Sequence, residues 1–229
     1  LAGLKGKEVH LVELSVSHYL LARALASVKL EEKDLTVVNT SDADIVSAFT
    51  SSDDVQTVVT WNPQLSEVLR HPGAKKLFDS SSIPGEIIDL MVVNTATLKE
   101  NPKFGKALTG AWYELMGTMA KEDAAGNAAR TAMATAAGTD LAGFNAQLAT
   151  TKMFFTPAEA TAFTRSGDLP KTMDYVRTFL FSHGLLGEGA KSPDAVGIAF
   201  PGGKVLGDAA NVKFRFDATY MEMAAAGSL

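Results

Sequence analysis

The strongest constraint on the fold is an alternation of short apolar strands with capped amphipathic stretches across the first third of the chain. Glu8–Glu13, Leu35–Asn39 and Val55–Trp61 read as strands, the last rich in Val and Thr. After the first strand, Ser15 or Ser17 caps a helix that sets Leu20, Leu21, Ala24, Leu25 and Val28 on one face. After the second, Ser41-Asp42-Ala43-Asp44 reads as a capping box opening a helix through Phe49. After the third, Asn62-Pro63 starts a helix, with Asn as cap and Pro at the first helical position, and His71-Pro72-Gly73 ends it. Lys76–Asp79 and Ile87–Asn94 read as further strands. Strands separated by helices imply a mainly parallel sheet covered on both faces. The predicted core of this part contains Val9, Leu11, Leu21, Leu25, Val37, Ile45, Val58 and Leu65.

Beyond Asn94 the period changes to that of successive helices. Pro102 opens the clearest one, with Phe104, Ala107, Leu108, Ala111, Trp112, Leu115, Met116 and Met119 at helical spacing. Ala-rich helices follow between Ala124 and Ala149, broken near Gly138-Thr139-Asp140. Thr156-Pro157-Ala158-Glu159 is a capping box, and Pro170–His183 is amphipathic with Met173, Val176 and Leu180 inward. Val196–Phe200 and Lys204–Leu206 flank Pro201-Gly202-Gly203 as a hairpin, with Val212–Phe216 as one more strand and a short helix to end. The Ser80–Gly85 stretch has linker chemistry, which divides the chain into 1–84 and 85–229.

A net charge of −5 without any basic run argues against nucleic acid, whose phosphates demand clustered Lys and Arg. The absence of Cys excludes disulfides, zinc–thiolate sites and cysteine nucleophiles. The chain starts Leu1-Ala2-Gly3-Leu4-Lys5-Gly6-Lys7, which is no signal peptide and reads as a turn within a protein.

Gly184–Ser192 carries Gly, Lys and Ser but lacks the contiguous Gly-Lys-Ser/Thr of a phosphate loop, so Gly184 is expected as a helix cap. His10, His18, His71 and His183 form no i, i+3 or i, i+4 pair. His71 and His183 fall at predicted helix ends and read as structural. There is no nucleophile elbow and no local triad. The expectation is therefore no catalytic residue, no cofactor and no metal.

Three stretches concentrate ligating chemistry. Glu13, Ser15, Ser17 and His18 lie where a strand runs into a helix, the place where open α/β sheets bind ligands. A serine there is either a plain cap or a ligating group. Trp61 and Asn62 occupy a second such place, either packed and capping or facing a planar ligand. Glu86 and Asp89 form the third. Asp89 would sit within an apolar strand, so its partner is backbone, a side chain or a ligand.

Leu4–Val9, Ser17-His18-Tyr19-Leu20-Leu21, Thr60-Trp61-Asn62-Pro63, Pro84-Gly85 and Asp89–Val93 together resemble the periplasmic receptors for sulfonates, nitrate and thiamine precursors. Val196–Pro201, Phe214-Arg215-Phe216-Asp217 and Tyr220-Met221 resemble a narrower branch, the urea or guanidine receptors associated with urea carboxylase and guanidine carboxylase. The resemblance implies a type II periplasmic binding protein architecture with two α/β lobes. Residues 1–84 would be the complete second lobe, and 85–229 the partial, helix-rich remainder of the first, whose early part is missing. It implies a periplasmic, non-enzymatic receptor of an ABC importer, working with membrane permease and ATPase subunits. The solute would be urea, a short amide or guanidine. The alternatives are a receptor for a thiamine precursor, nitrate or a sulfonate, or an enzyme of thiamine-pyrimidine synthesis. A lobe lacking part of its structure would expose apolar surface around Phe104–Met119 and favour self-association.

Overall fold

The computed structural model describes residues 1–229. The chain is mixed α/β and forms two compact units. One comprises Leu1–Ile88 with Tyr175–Leu185, the other Asp89–Asp174 with Leu186–Leu229. The break near Ile88 falls close to the linker read from sequence, and the segment Tyr175–Leu185 returns to the first unit.

In the first unit β1 (Glu8–Leu11) is followed by α1 (Val16–Ser27) and β2 (Thr36–Asn39). The strands are parallel, with Val9 opposite Val37 and His10 opposite Val38. On the other edge of β1 the third predicted strand contributes a single parallel bridge, His10 to Val58. Two backbone bonds hold it, His10 N–H to Thr57 O at 3.0 Å and Val59 N–H to His10 O at 2.9 Å. β1 is thus the central strand. Two short helices follow these segments, α2 (Ile45–Ser51) and α3 (Gln64–Val68), and they pack on each other.

Val9, Leu11, Leu21 and Leu25 meet Leu4 in one apolar cluster, with Val37 and Val59 against it. Each fully buried Leu or Val contributes about 1.5–3 kcal/mol of transfer free energy. Ile45 is also fully buried, while Val58 and Leu65 are half-buried and Val68 takes the buried place on α3. A second cluster joins Tyr19, Ile83 and Phe179, with Phe78, Val176 and Leu180 around it.

The sequence reading needs four corrections here. Lys76–Asp79 and Ile87–Asn94 form no strand. Leu90, Met91 and Val92 are exposed, so an apolar run alone did not suffice where no strand offers a ladder. Asp89 is accordingly exposed, not enclosed in a strand. Ser41 and Asp44 make no capping box, because the Ser41 hydroxyl donates to the Asp44 carboxylate at 2.6 Å. Asn62 does not cap α3; Pro63 holds that position, after a cis peptide bond, and the Asn62 side chain accepts from Ser66 Oγ at 2.7 Å.

The second unit holds α4 (Thr95–Glu100), α5 (Pro102–Met119), α6 (Ala124–Ala136), α7 (Leu141–Ala149) and α8 (Pro157–Thr164). Pro102 stands in the first turn of α5, and Thr156 with Glu159 makes the predicted capping box of α8. α9 (Leu169–Ser182) starts in this unit, and its later half belongs to the first. Gly184, at φ +72°, ends α9 as expected, with Leu185 N–H bonding back to Leu180 O at 2.8 Å. A small sheet of order β4-β3-β5 follows. β3 (Gly197–Ala199) pairs antiparallel with β4 (Val205–Leu206), as the hairpin predicts, and parallel with β5 (Val212–Arg215). α10 (Thr219–Ala225) closes the unit.

On α5 the buried residues are Gly105, Thr109, Met116 and Met119, while Phe104, Trp112 and Leu115 are exposed. Met116 and Met119 of the predicted stripe are buried, while in the first half of α5 the buried places fall to Gly105 and Thr109, with the Tyr220 ring of α10 directly over Gly105. Arg130 of α6 is buried and closes the end of α5. Its Nη1 donates to Met119 O at 2.5 Å and Lys121 O at 2.9 Å, and its Nη2 to Asn127 Oδ1 at 2.7 Å. A guanidinium is well placed at a helix C-terminus, where orphan carbonyls concentrate negative charge. No helix is long and apolar enough to cross a membrane.

Candidate functional site

The candidate site is the carboxyl edge of the small parallel sheet in the first unit. β1 leaves the sheet through Val12 and Glu13 into Leu14, which has φ +59°. That left-handed conformation is uncommon for a residue with a branched side chain, and it turns the chain sharply into α1. Ser15 is the N-cap: its Oγ accepts from Ser17 N–H at 3.1 Å and donates to Val12 O at 2.7 Å. Of the two readings of that serine, the structure places it as the cap. Ser17 is buried within the first turn. Glu13 is exposed, and its N–H donates to Asn39 Oδ1 at 3.0 Å, tying the end of β1 to the end of β2.

The ends of β2 and of the bridged segment, both parallel to β1, lie on the same edge. Trp61 and Asn62 are half-buried between the Val58 bridge and α3. Three polar atoms around these strand ends are buried without any hydrogen-bond partner: Asp42 Oδ1 after β2, Thr60 Oγ1 after the bridge, and Gln64 Oε1 in the first turn of α3. Burial pushes the Asp42 carboxyl above its ordinary pKa. Buried polar atoms are nearly always paired, so three orphans on one edge mark a place with unmet hydrogen-bonding capacity. Sequence reasoning missed all three. The available signal was position, since Thr60 directly follows the bridged segment, Asp42 lies three residues past β2, and Gln64 opens the helix after the bridge.

The remaining predicted residues lie elsewhere. His18 is buried and both ring nitrogens are engaged, with Nδ1 accepting from Leu14 N–H at 3.1 Å and Nε2 donating to Glu32 Oε2 at 3.0 Å. Glu86 is buried with both oxygens engaged. Arg23 Nε and Nη2 donate to them at 2.7 Å and 3.0 Å, and the Tyr19 hydroxyl donates to Oε2. The Tyr175 ring lies 4.6 Å from the Arg23 guanidinium carbon. Asp89 belongs to the second unit. In that unit a shallow cleft of about 330 Å³ is lined by residues including Arg165, Phe200, Arg215 and Asp217. Arg165 there is already paired with Glu222.

Sequence comparison finds no matching protein family and no matching curated protein. Structural comparison does find similar chains. The alkanesulfonate-binding protein SsuA from Xanthomonas axonopodis pv. citri, bound to MOPS, superposes with a TM-score of 0.60 at 19% identity, over 82% of this chain and 61% of that one. The periplasmic aliphatic sulphonate binding protein SsuA from Escherichia coli gives 0.60 at 20% identity, over 80% of this chain and 56% of that one. This chain has the fold of the periplasmic binding proteins. It spans about three fifths of the length of these binding proteins.

Proposed function

We propose that this chain is part of a periplasmic, non-enzymatic receptor that delivers a small planar nitrogen compound to the permease and ATPase subunits of an ABC importer. Urea, a short amide and guanidinium are the solutes that suit it. The shared fold with two sulfonate-binding proteins supports the receptor role. The observation that carries the solute class is the acceptor-rich carboxyl edge. Asp42 Oδ1 and Gln64 Oε1 are buried acceptors without donors, Thr60 Oγ1 is a buried hydroxyl without a partner, and Glu13 adds an exposed carboxylate. Acceptors select N–H donors. The segments 12–17, 40–44 and 60–64 contain no Lys or Arg. A sulfonate or nitrate placed there would face like charge, at a cost of several kcal/mol where water is excluded. The half-buried Trp61 offers a flat face to a planar solute, with about 0.5–2 kcal/mol of cation–π attraction for guanidinium.

In this reading the two lobes of the receptor are residues 1–84 and 85–229. The test is calorimetric titration of the protein with urea, acetamide, guanidinium, nitrate and taurine, backed by thermal shift. A ligand bound only by the folded state raises the unfolding temperature. Saturable binding of a nitrogen compound is the expected result. Tighter binding of taurine or nitrate would move the chain to the sulfonate and nitrate class and overturn the proposed solute.

A further inference from the structure

His18, Glu32 and His183 come from three distant segments of the first unit, and their donor atoms all lie within 4.8 Å of one another. His18 Nε2 is 3.0 Å from Glu32 Oε2, and His183 Nε2 is 3.1 Å and 3.2 Å from the two Glu32 oxygens. Tetrahedral zinc, with bonds of about 2.0–2.2 Å, separates its ligand atoms by about 3.4 Å. Both histidine–glutamate spacings are therefore already near coordination spacing. His18 is buried, His183 and Glu32 are half-buried, and the rings of His18, His183 and Phe179 wall one side.

The hydrogen bonds of His183 are decisive. Its Nδ1 lies 2.9 Å from Phe179 O, a group that only accepts, and 3.0 Å from Ser182 Oγ, whose own hydrogen goes to Phe179 O at 2.9 Å, so Nδ1 carries a proton. The Nε2 lone pair of the neutral ring then points at a carboxylate. Two electron-rich atoms at that distance need a cation between them, either a second ring proton or a metal ion. An Nδ1–H held by a backbone carbonyl is also the usual way a metal-binding histidine is oriented. We propose that His183 Nε2, the Glu32 carboxylate and His18 Nε2 form a binding site for a divalent transition-metal ion of the zinc class, with water as fourth ligand.

His18 is the conditional member. Leu14 N–H donates to its Nδ1, so its ring proton sits on Nε2. Coordination requires that proton to move to Nδ1 and Leu14 N–H to turn to water, which half-exposed Leu14 allows. His183 and Glu32 are thus the ready ligands, and His18 completes the site at the cost of one backbone hydrogen bond. Local spacing could not reveal this set, which joins positions 18, 32 and 183.

The experiment is titration of the metal-free protein with Zn²⁺ by calorimetry and with Co²⁺ by visible absorption. The expected result is one saturable Zn²⁺ site and a tetrahedral Co²⁺ spectrum. His183→Ala and Glu32→Gln should each lower Zn²⁺ affinity at least a hundredfold, and His18→Ala by less. His71→Ala, outside the cluster, should leave affinity unchanged. Zn²⁺ should raise the unfolding temperature of the wild type and not of His183→Ala, which separates binding at this site from any loss of fold. Absence of saturable Zn²⁺ binding, or binding that survives both His183→Ala and Glu32→Gln, overturns the proposal.

Discussion

The guanidinium of Arg23 holds Glu86 by both carboxylate oxygens, Nε to Oε2 at 2.7 Å and Nη2 to Oε1 at 3.0 Å. The pair ties α1 to the end of the first unit's leading segment, 63 residues away in sequence. Glu86 is buried whereas Arg23 keeps part of its side chain in water. Removing one partner from such a pair strands a buried charge, which typically costs about 3–5 kcal/mol. The partial exposure of Arg23 brings Arg23→Met below that range, to about 2–3 kcal/mol in urea unfolding. Glu86→Gln should lower stability while leaving solute affinity unchanged. A loss of affinity without a loss of stability would return Glu86 to the ligand set.

Tyr19 gives the same network a pH signature. Burial, then the hydrogen bond to Glu86, pushes its phenol well above the ordinary value of 10.0. The folded protein therefore retains a proton that the unfolded chain releases above about pH 10. Stability from this group is fully present below pH 10 and declines as pH rises beyond it. The slope of unfolding free energy against pH should be steeper for wild type than for Tyr19→Phe between pH 10 and 11.5. Equal slopes would mean that Tyr19 ionises without cost.

Gly105 permits the approach of Tyr220. A Cβ at position 105 would overlap the Tyr220 ring, so α10 would have to shift away from α5. Overpacking of this kind costs about 1–3 kcal/mol. Gly105→Ala should destabilise the protein by that amount, and the penalty should shrink in a Tyr220→Ala background. A double-mutant cycle with no coupling between positions 105 and 220 would refute the contact.

What could be read from the sequence follows the range of the physics involved. Period-two and period-3.6 patterns put Val9, Leu11, Leu21, Leu25 and Ile45 in the core, and all five are buried. Capping chemistry is local, so Thr156 with Glu159 and Pro102 were legible. On α5 Met116 and Met119 were legible, but the close approach of Gly105 to an aromatic ring 115 positions away was not. The Ile87–Asn94 run looked like a strand from composition, but pairing needs a neighbour that composition does not specify. The strand-end rule pointed to the edge that carries the candidate site. It could not tell that His18 and Glu86 would be taken by Glu32 and Arg23, nor that Asp42, Thr60 and Gln64 would be left unpaired.

Asp42 offers a test that separates function from stability. Burial raises its carboxyl pKa, so the folded state binds a proton more tightly than the unfolded chain does. A group shifted in this direction takes stability away as pH rises above its ordinary value of 3.8. Asp42→Asn removes that liability. It should raise the unfolding temperature at pH 7, and the gain should narrow as pH falls toward 4. The same change removes a charged acceptor from the proposed solute site. Hydrogen bonds to charged groups are worth about 1.5–3 kcal/mol, so affinity for urea or guanidinium should fall on the order of ten- to a hundredfold. Gln64→Leu deletes a neutral orphan acceptor, Oε1, and should weaken binding less. A variant that is more stable yet binds less tightly is the behaviour of a residue kept unpaired for a ligand. If Asp42→Asn is stabilised and binds solute as well as wild type does, the carboxyl edge of the sheet is not the site.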